Sequence, residues 1–184
     1  MNRRSQRTRA ALRSAFTALV LSRGYEAVAV RDIVRRAGVG RSTFYLHYSS
    51  KESLLSDGLE QPCRGLAACA ATESKPAALV PLLEHFRAQR RLNRVFFEPP
   101  IRALWAKALA LAIERQLARN EPPWPQPSGP LLHLFCLTVA EMQISLVTHW
   151  LTSSMSAKAE VIAARLAVYT QALLQSERSL TLRR

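Results

Sequence analysis

Apolar residues recur at three- and four-residue spacing along most of this chain, which is the pattern of amphipathic helices. Leu12, Ala15, Phe16, Leu19 and Val20 predict a helix from Arg4 to Ser22, with Ser5 near its start, Met1 to Arg4 as a basic arm and Gly24 as its stop. Two short helices follow, over 30–37 and 41–47. In the first, Ile33, Val34 and Ala37 share a face; Gly38 can take the left-handed conformation that ends a helix, and Val39 is expected to plug inward. Ser49 or Ser50 caps a fourth helix reaching about Ala71, which Gly58 and Pro62 should bend or interrupt.

Further on, the pattern predicts a helix over about 77–92 with Pro81 in its first turn, and a short one over 93–97. Ile101 to Ala118 is strongly helical. Five prolines between Asn120 and Pro130 make that stretch a loop. Two more helices complete the chain, over about 131–151 and 156–175. The first is apolar nearly all round, so it must be covered on all sides. A monomer of this size can hardly do that, and a second subunit is the expected cover. The fold class is all-α, about nine helices with no visible repeat.

Composition agrees with this. There are 184 residues, 48% of them hydrophobic, and only 6 glycines. That suffices to bury a core and excludes a disordered chain. No run of about 20 uninterrupted apolar residues exists, because His133, Glu141, Gln143 and His149 break the stretch 131–151; no membrane association is expected. Cys63, Cys69 and Cys136 lack zinc-ligand spacing, and buried, reduced thiols are expected. No nucleophile–base pair, glycine-rich phosphate loop or metal cluster is visible, so neither an enzyme, a cofactor nor a metal site is expected.

Charge changes the picture more. Residues 1–51 hold eleven Lys and Arg against Glu26 and Asp32, or +9 of the chain's +13. A solvated basic surface would explain this, but four of the cations, Arg31, Arg35, Arg36 and Arg41, sit on the paired short helices, and that arrangement points to a polyanion. Two short helices joined by a tight turn form a helix-turn-helix. Arg41 at the start of the second helix could reach a guanine edge or a phosphate, and Ser42 and Thr43 either one. Tyr45 and His47 could donate to phosphates, with Arg31 and Lys51 adding charge. Lys51 lies in the first turn of the next helix, whose N-terminus itself favours a phosphate. Phe44 and Tyr48 should point inward.

From Phe16 to Leu55 the sequence resembles the DNA-binding domain of the TetR/AcrR transcriptional regulators. The matching residues are Gly24-Tyr25, Val30-Arg31-Asp32-Ile33, Ala37-Gly38-Val39, Thr43-Phe44-Tyr45, His47-Tyr48 and Ser50 to Leu55, about 40 residues. Two positions depart from that pattern. Ala29 cannot cap the second helix with a hydroxyl, and Gly40 offers none to DNA.

The resemblance implies a helix-turn-helix domain over 1–50 and a helical ligand-binding and dimerisation domain over 51–184. It implies a homodimer through the last two helices, binding a palindromic double-stranded operator in the cytoplasm, most simply as a repressor released by a small-molecule effector. Phe86, Trp105, Leu109, Phe135, Met142, Gln143 and His149 are candidates to line the effector site, each with plain core or interface packing as its alternative. A C-terminal half serving dimerisation alone is the competing reading.

Overall fold

The computed structural model describes residues 3–90, 97, 99–120, 129–153 and 156–181. Among them are eight α-helices, two short 3-10 turns and no strand. The helices are α1 (Arg3–Arg23), α2 (Val30–Ala37), α3 (Arg41–Tyr45), α4 (Lys51–Ala67), α5 (Val80–Ala88), α6 (Ile101–Leu117), α7 (Pro130–Thr152) and α8 (Ala159–Thr181). The chain divides into two compact units, Met1–Glu60 and Gln61–Arg184, and α4 contributes residues to both.

In the first unit α1 already contains Arg3 and Arg4, two residues of the expected basic arm; Met1 and Asn2 lie outside the described residues. Its buried stripe is the one read from the sequence: Leu12, Ala15, Phe16, Leu19 and Val20. Gly24 ends it at φ 78°, and its N–H donates to Val20 O at 2.8 Å. Ile33 and Phe44 are fully buried, with Leu54 and Leu55 from α4 beside them in the core. Phe16 meets Tyr25 edge to face at 6.2 Å.

α4 extends to Ala67, and a 3-10 turn over Ala68–Ala70 replaces the last turn expected from the pattern. Ser50 and Ser53 cap its start reciprocally. The Ser53 N–H donates to Ser50 Oγ at 3.2 Å and the Ser50 N–H to Ser53 Oγ at 3.1 Å. Pro62 lies within the helix without ending it, although its missing N–H deprives the carbonyl of Gly58, four residues earlier, of a helical donor.

In the second unit a 3-10 turn over Pro76–Leu79 precedes α5, which is shorter than expected at both ends. Pro81 does sit in its first turn. Of the expected short helix only Phe97 is described, and it is buried; residues 121–128 of the expected loop lie outside the described residues. α6 and α7 pack along one another, and α8 packs on α5, α7 and both 3-10 turns. The Arg102–Glu141 ion pair at 2.6 Å ties α6 to α7. Trp150 Nε1 donates to Ala157 O at 2.9 Å, closing the connection from α7 to α8.

α8 starts later and runs further than expected. α7 is long and apolar enough to cross a membrane by length and composition alone, so its polar residues do not disqualify it as the sequence reading supposed. Nine of its residues are buried, Gln143 among them, where Nε2 donates to Thr170 Oγ1 at 2.8 Å. That packing is what a core helix needs. Leu131 and Leu134 on α7 and Val161, Val168, Tyr169 and Leu180 on α8 remain exposed.

Candidate nucleic-acid interface

α2 is built for a sharp turn into α3. At its end Gly38 stands at φ 66°, ψ 33°. Its N–H donates to Arg35 O at 3.3 Å, and the Val39 N–H to Val34 O at 3.1 Å. The pair of bonds closes the helix, and glycine holds the left-handed position without the clash a Cβ would bring. Val39 is half-buried rather than fully plugged.

At its start Ala29 has no oxygen to give. Only half of a reciprocal cap forms, the Ala29 N–H donating to Asp32 Oδ2 at 3.3 Å. Asp32 is buried and also accepts from Arg35 at 3.0 Å, so this carboxylate holds α2 together in place of the missing hydroxyl. Gly40 precedes α3 with extended backbone. A Cβ there would make only ordinary contacts, with Ser42 and Thr43 at 3.7 Å, so the fold does not demand glycine at this position.

α3 is shorter than expected, but hydrogen bonds from Leu46, His47 and Tyr48 back to Ser42 and Phe44 continue its turn. The segment has two faces. Phe44 (0% exposed) and Tyr48 (4%) point into the unit. Arg41, Ser42 and Tyr45 are exposed, and Thr43 and His47 half-buried. The Arg41 guanidinium lies over the Tyr45 ring, 5.7 Å from its centroid, a cation–π contact across one helical turn. Arg31 is exposed on α2. Leu46 escaped the sequence reading and is 82% exposed. An apolar residue among polar ones on a helix looks like a buried position, and only the observed turn shows it pointing out.

Two clusters hold this face in place. In the first, Tyr48 donates to Asp57 Oδ2 at 2.7 Å. Arg9 pairs with Asp57 Oδ1 and donates to the Tyr48 hydroxyl at 3.3 Å, and Arg13 reaches Asp57 Oδ2 at 3.2 Å. Burial pushes the Asp57 carboxyl up, but the Tyr48 hydrogen bond and the Arg9 and Arg13 charges together outweigh it and hold it below the usual carboxylate range. Burial, then the Asp57 contact, raises the Tyr48 hydroxyl.

In the second cluster Lys51 Nζ donates to Tyr25 O at 3.1 Å and sits 4.3 Å from the centre of the Tyr25 ring. The Tyr25 hydroxyl donates to Glu52 at 3.0 Å. Lys51 is therefore a structural group of the unit as well as a cation at the start of α4. Its ammonium keeps further N–H donors for a phosphate.

The candidate effector residues are not brought together. Phe86 and Trp105 form an aromatic cluster with Phe97, at centroid distances of 5.2–6.0 Å, and are buried with Leu109 as core. Gln143 is fully buried and bonded to Thr170. Met142 and His149 line an open groove of about 610 Å3 between α7 and α8, while Phe135 lines a separate one of about 280 Å3 between the same helices.

An exposed polar face on a short second helix, backed by a buried aromatic pair, is the arrangement of a helix-turn-helix unit. Residues 12–57 match the family model described as bacterial regulatory proteins, tetR family. That match covers a quarter of the chain, the helix-turn-helix with most of α1 and the start of α4, and shows that this segment is similar to that family.

Over 64 residues it is 39% identical to the uncharacterized HTH-type transcriptional regulator YxbF of Bacillus subtilis (strain 168). That match spans 34% of this chain and 17% of the relative. Two solved structures share the all-helical fold. A TetR-family regulator from Streptomyces coelicolor A3 has a TM-score of 0.62 at 21% identity, covering 92% of this chain and 96% of its own. A TetR transcriptional regulator from Streptococcus agalactiae 2603V has a TM-score of 0.55 at 23% identity, covering 91% and 96%.

Proposed function

We propose that this chain binds a palindromic operator as a homodimer and represses transcription until a small-molecule effector releases it. The observation that carries the DNA-binding part is the two-faced α3 segment. Phe44 and Tyr48 are locked inward, while Arg41, Ser42 and Tyr45 stand exposed on a unit with most of the chain's positive charge. In this reading Arg41 and Ser42 meet base edges, Leu46 packs on a thymine methyl, and Thr43, Tyr45, His47, Arg31 and Lys51 hold phosphates. Residues 1–50 form the DNA-binding domain and 51–184 the regulatory and dimerisation domain of a cytoplasmic protein.

The exposed apolar residues of α7 and α8 favour the dimer, since Leu131, Leu134, Val161, Val168 and Leu180 would leave water on association. Two recognition helices about 34 Å apart would then read successive major grooves. Release would run through α4, whose residues belong to both units and whose interior carries Gly58 and Pro62. Selection of bound DNA from a random pool tests this function. An enriched palindrome supports it, and recovery of no preferred sequence by a well-folded protein contradicts it.

A further inference from the structure

A cavity of about 210 Å3 in the second unit has no part in the reading above. The turn Ala70–Thr72 forms one wall, Asn120 another, and four residues of α8 the third. Those four, Gln171, Leu174, Gln175 and Arg178, lie on one helical stripe, which adjoins at Gln175 the stripe that exposes Val161 and Val168.

The polar groups of this cavity are sorted by charge. Its turn presents three successive carbonyls, and each is already occupied. Gln171 Nε2 donates to Cys69 O at 2.8 Å and to Ala71 O at 2.9 Å, and Asn120 Nδ2 donates to Ala70 O at 2.8 Å. Asn120 is 7% exposed, and its own oxygen accepts from Gln116 at 3.1 Å. Each of these carbonyls already has a donor, which fixes the wall.

The donors, by contrast, make no hydrogen bond to another side chain among the described residues. Arg178 is the charged residue of the lining, no carboxylate among the described residues pairs with it, and its Nε is shielded from solvent without a hydrogen-bond partner. A shielded donor with no acceptor is unusual in a folded protein, and a turn of the Arg178 side chain would bring it to an incoming acceptor. The Thr72 hydroxyl and Gln175 amide border the same space. Leu174, Ala70 and Ala71 supply an apolar surface for the rest of a ligand.

We propose that this cavity binds a small organic monocarboxylate, its carboxylate on Arg178 and its apolar body on Leu174 and the alanines. A guanidinium fork suits a planar carboxylate. As to size, a cavity of about 150 Å3 holds benzene, so this one accommodates a single ring bearing a carboxylate. The site stands on the cavity and its donors, independently of DNA binding.

Calorimetric titration of the full chain with benzoate tests it, beside neutral benzyl alcohol and inorganic phosphate. Saturable benzoate binding is expected, with benzyl alcohol and phosphate each about tenfold weaker or more. Arg178→Gln should weaken benzoate by a similar factor while leaving the circular dichroism spectrum intact. Gln175→Leu, a second variant nearly one turn away on the same stripe, should weaken it less. The proposal is overturned by the absence of saturable benzoate binding, by phosphate binding as tightly as benzoate, or by an Arg178→Gln protein that binds benzoate unchanged. Operator binding by the ligand-free samples is read separately, so failure there counts against the regulator reading and not against this site.

Discussion

The Tyr48 hydroxyl donates to the Asp57 carboxylate at 2.7 Å, joining the turn after α3 to the second turn of α4. Arg9 grips both groups from α1. Tyr48→Phe removes one donor and leaves Asp57 its two arginines. We expect a loss of about 1.5 kcal/mol in urea unfolding, as for a hydrogen bond to a charged group.

The pH dependence of the same carboxylate has a definite sign. Its folded pKa lies below the unfolded one, so its stabilisation is present in full above the unfolded value of about 3.9 and is lost as pH falls through the folded value. Stability measured from pH 7 down to pH 3 should therefore show the wild type's advantage over Asp57→Asn narrowing below about pH 4. An advantage that stays constant across that range would contradict the assignment.

Lys51 combines two roles that substitution should reveal together. Its ammonium binds the Tyr25 carbonyl and ring, and it stands at the start of α4. Lys51→Ala should lower stability by about 1 kcal/mol, the size of a cation–π contact. It should also weaken DNA binding and reduce the salt dependence by about one counterion. Thermal melts and filter binding at several salt concentrations measure both.

How far the sequence was legible depended on the range of the physics involved. Helices whose burial stripe is continuous, such as α1 with Leu12 to Val20, could be read almost to the residue. So could the inward turn of Phe44 and Tyr48. The ends of α4, α5 and α8 could not, because 3-10 turns and tertiary contacts decide them. The Arg9–Tyr48–Asp57 network joins residues 39 and 48 positions apart and leaves no local pattern. Of the aromatic effector candidates, Phe86 and Trp105 pack in the core while Phe135 borders a groove, since periodicity marks a buried position without telling a packed interior from a cavity wall.

Gly58 and Gly65 lie seven residues apart in α4 but differ in surroundings. A Cβ on Gly58 meets nothing within 4 Å, whereas one on Gly65 comes 2.9 Å from Leu82 Cδ2. Gly58→Ala should stabilise the protein by roughly 0.5–1 kcal/mol through helix propensity. Gly65→Ala should stabilise it less or not at all, because Leu82 must move. Chemical denaturation of the two variants side by side decides.

The three thiols should be inert in the folded protein. Burial pushes Cys63 and Cys136 up to about 12, with Glu114 adding to the shift at Cys136, and burial pushes Cys69 up to about 11. The reactive thiolate is then scarce at pH 8. Ellman's reagent should report three thiols in denaturant and only slow reaction without it. Rapid reaction of any one of them in the native state would contradict this.

The central claim is that the exposed side of α3 reads DNA while its buried side only holds it. Operator affinity of Arg41→Ala and Tyr45→Ala, measured by band shift at physiological salt beside their melting temperatures, tests it most directly. The account predicts at least about a tenfold loss of affinity for each, from contacts worth roughly 1–3 kcal/mol, with melting within a few degrees of wild type. Unchanged affinity in both variants, with the fold intact, would contradict it.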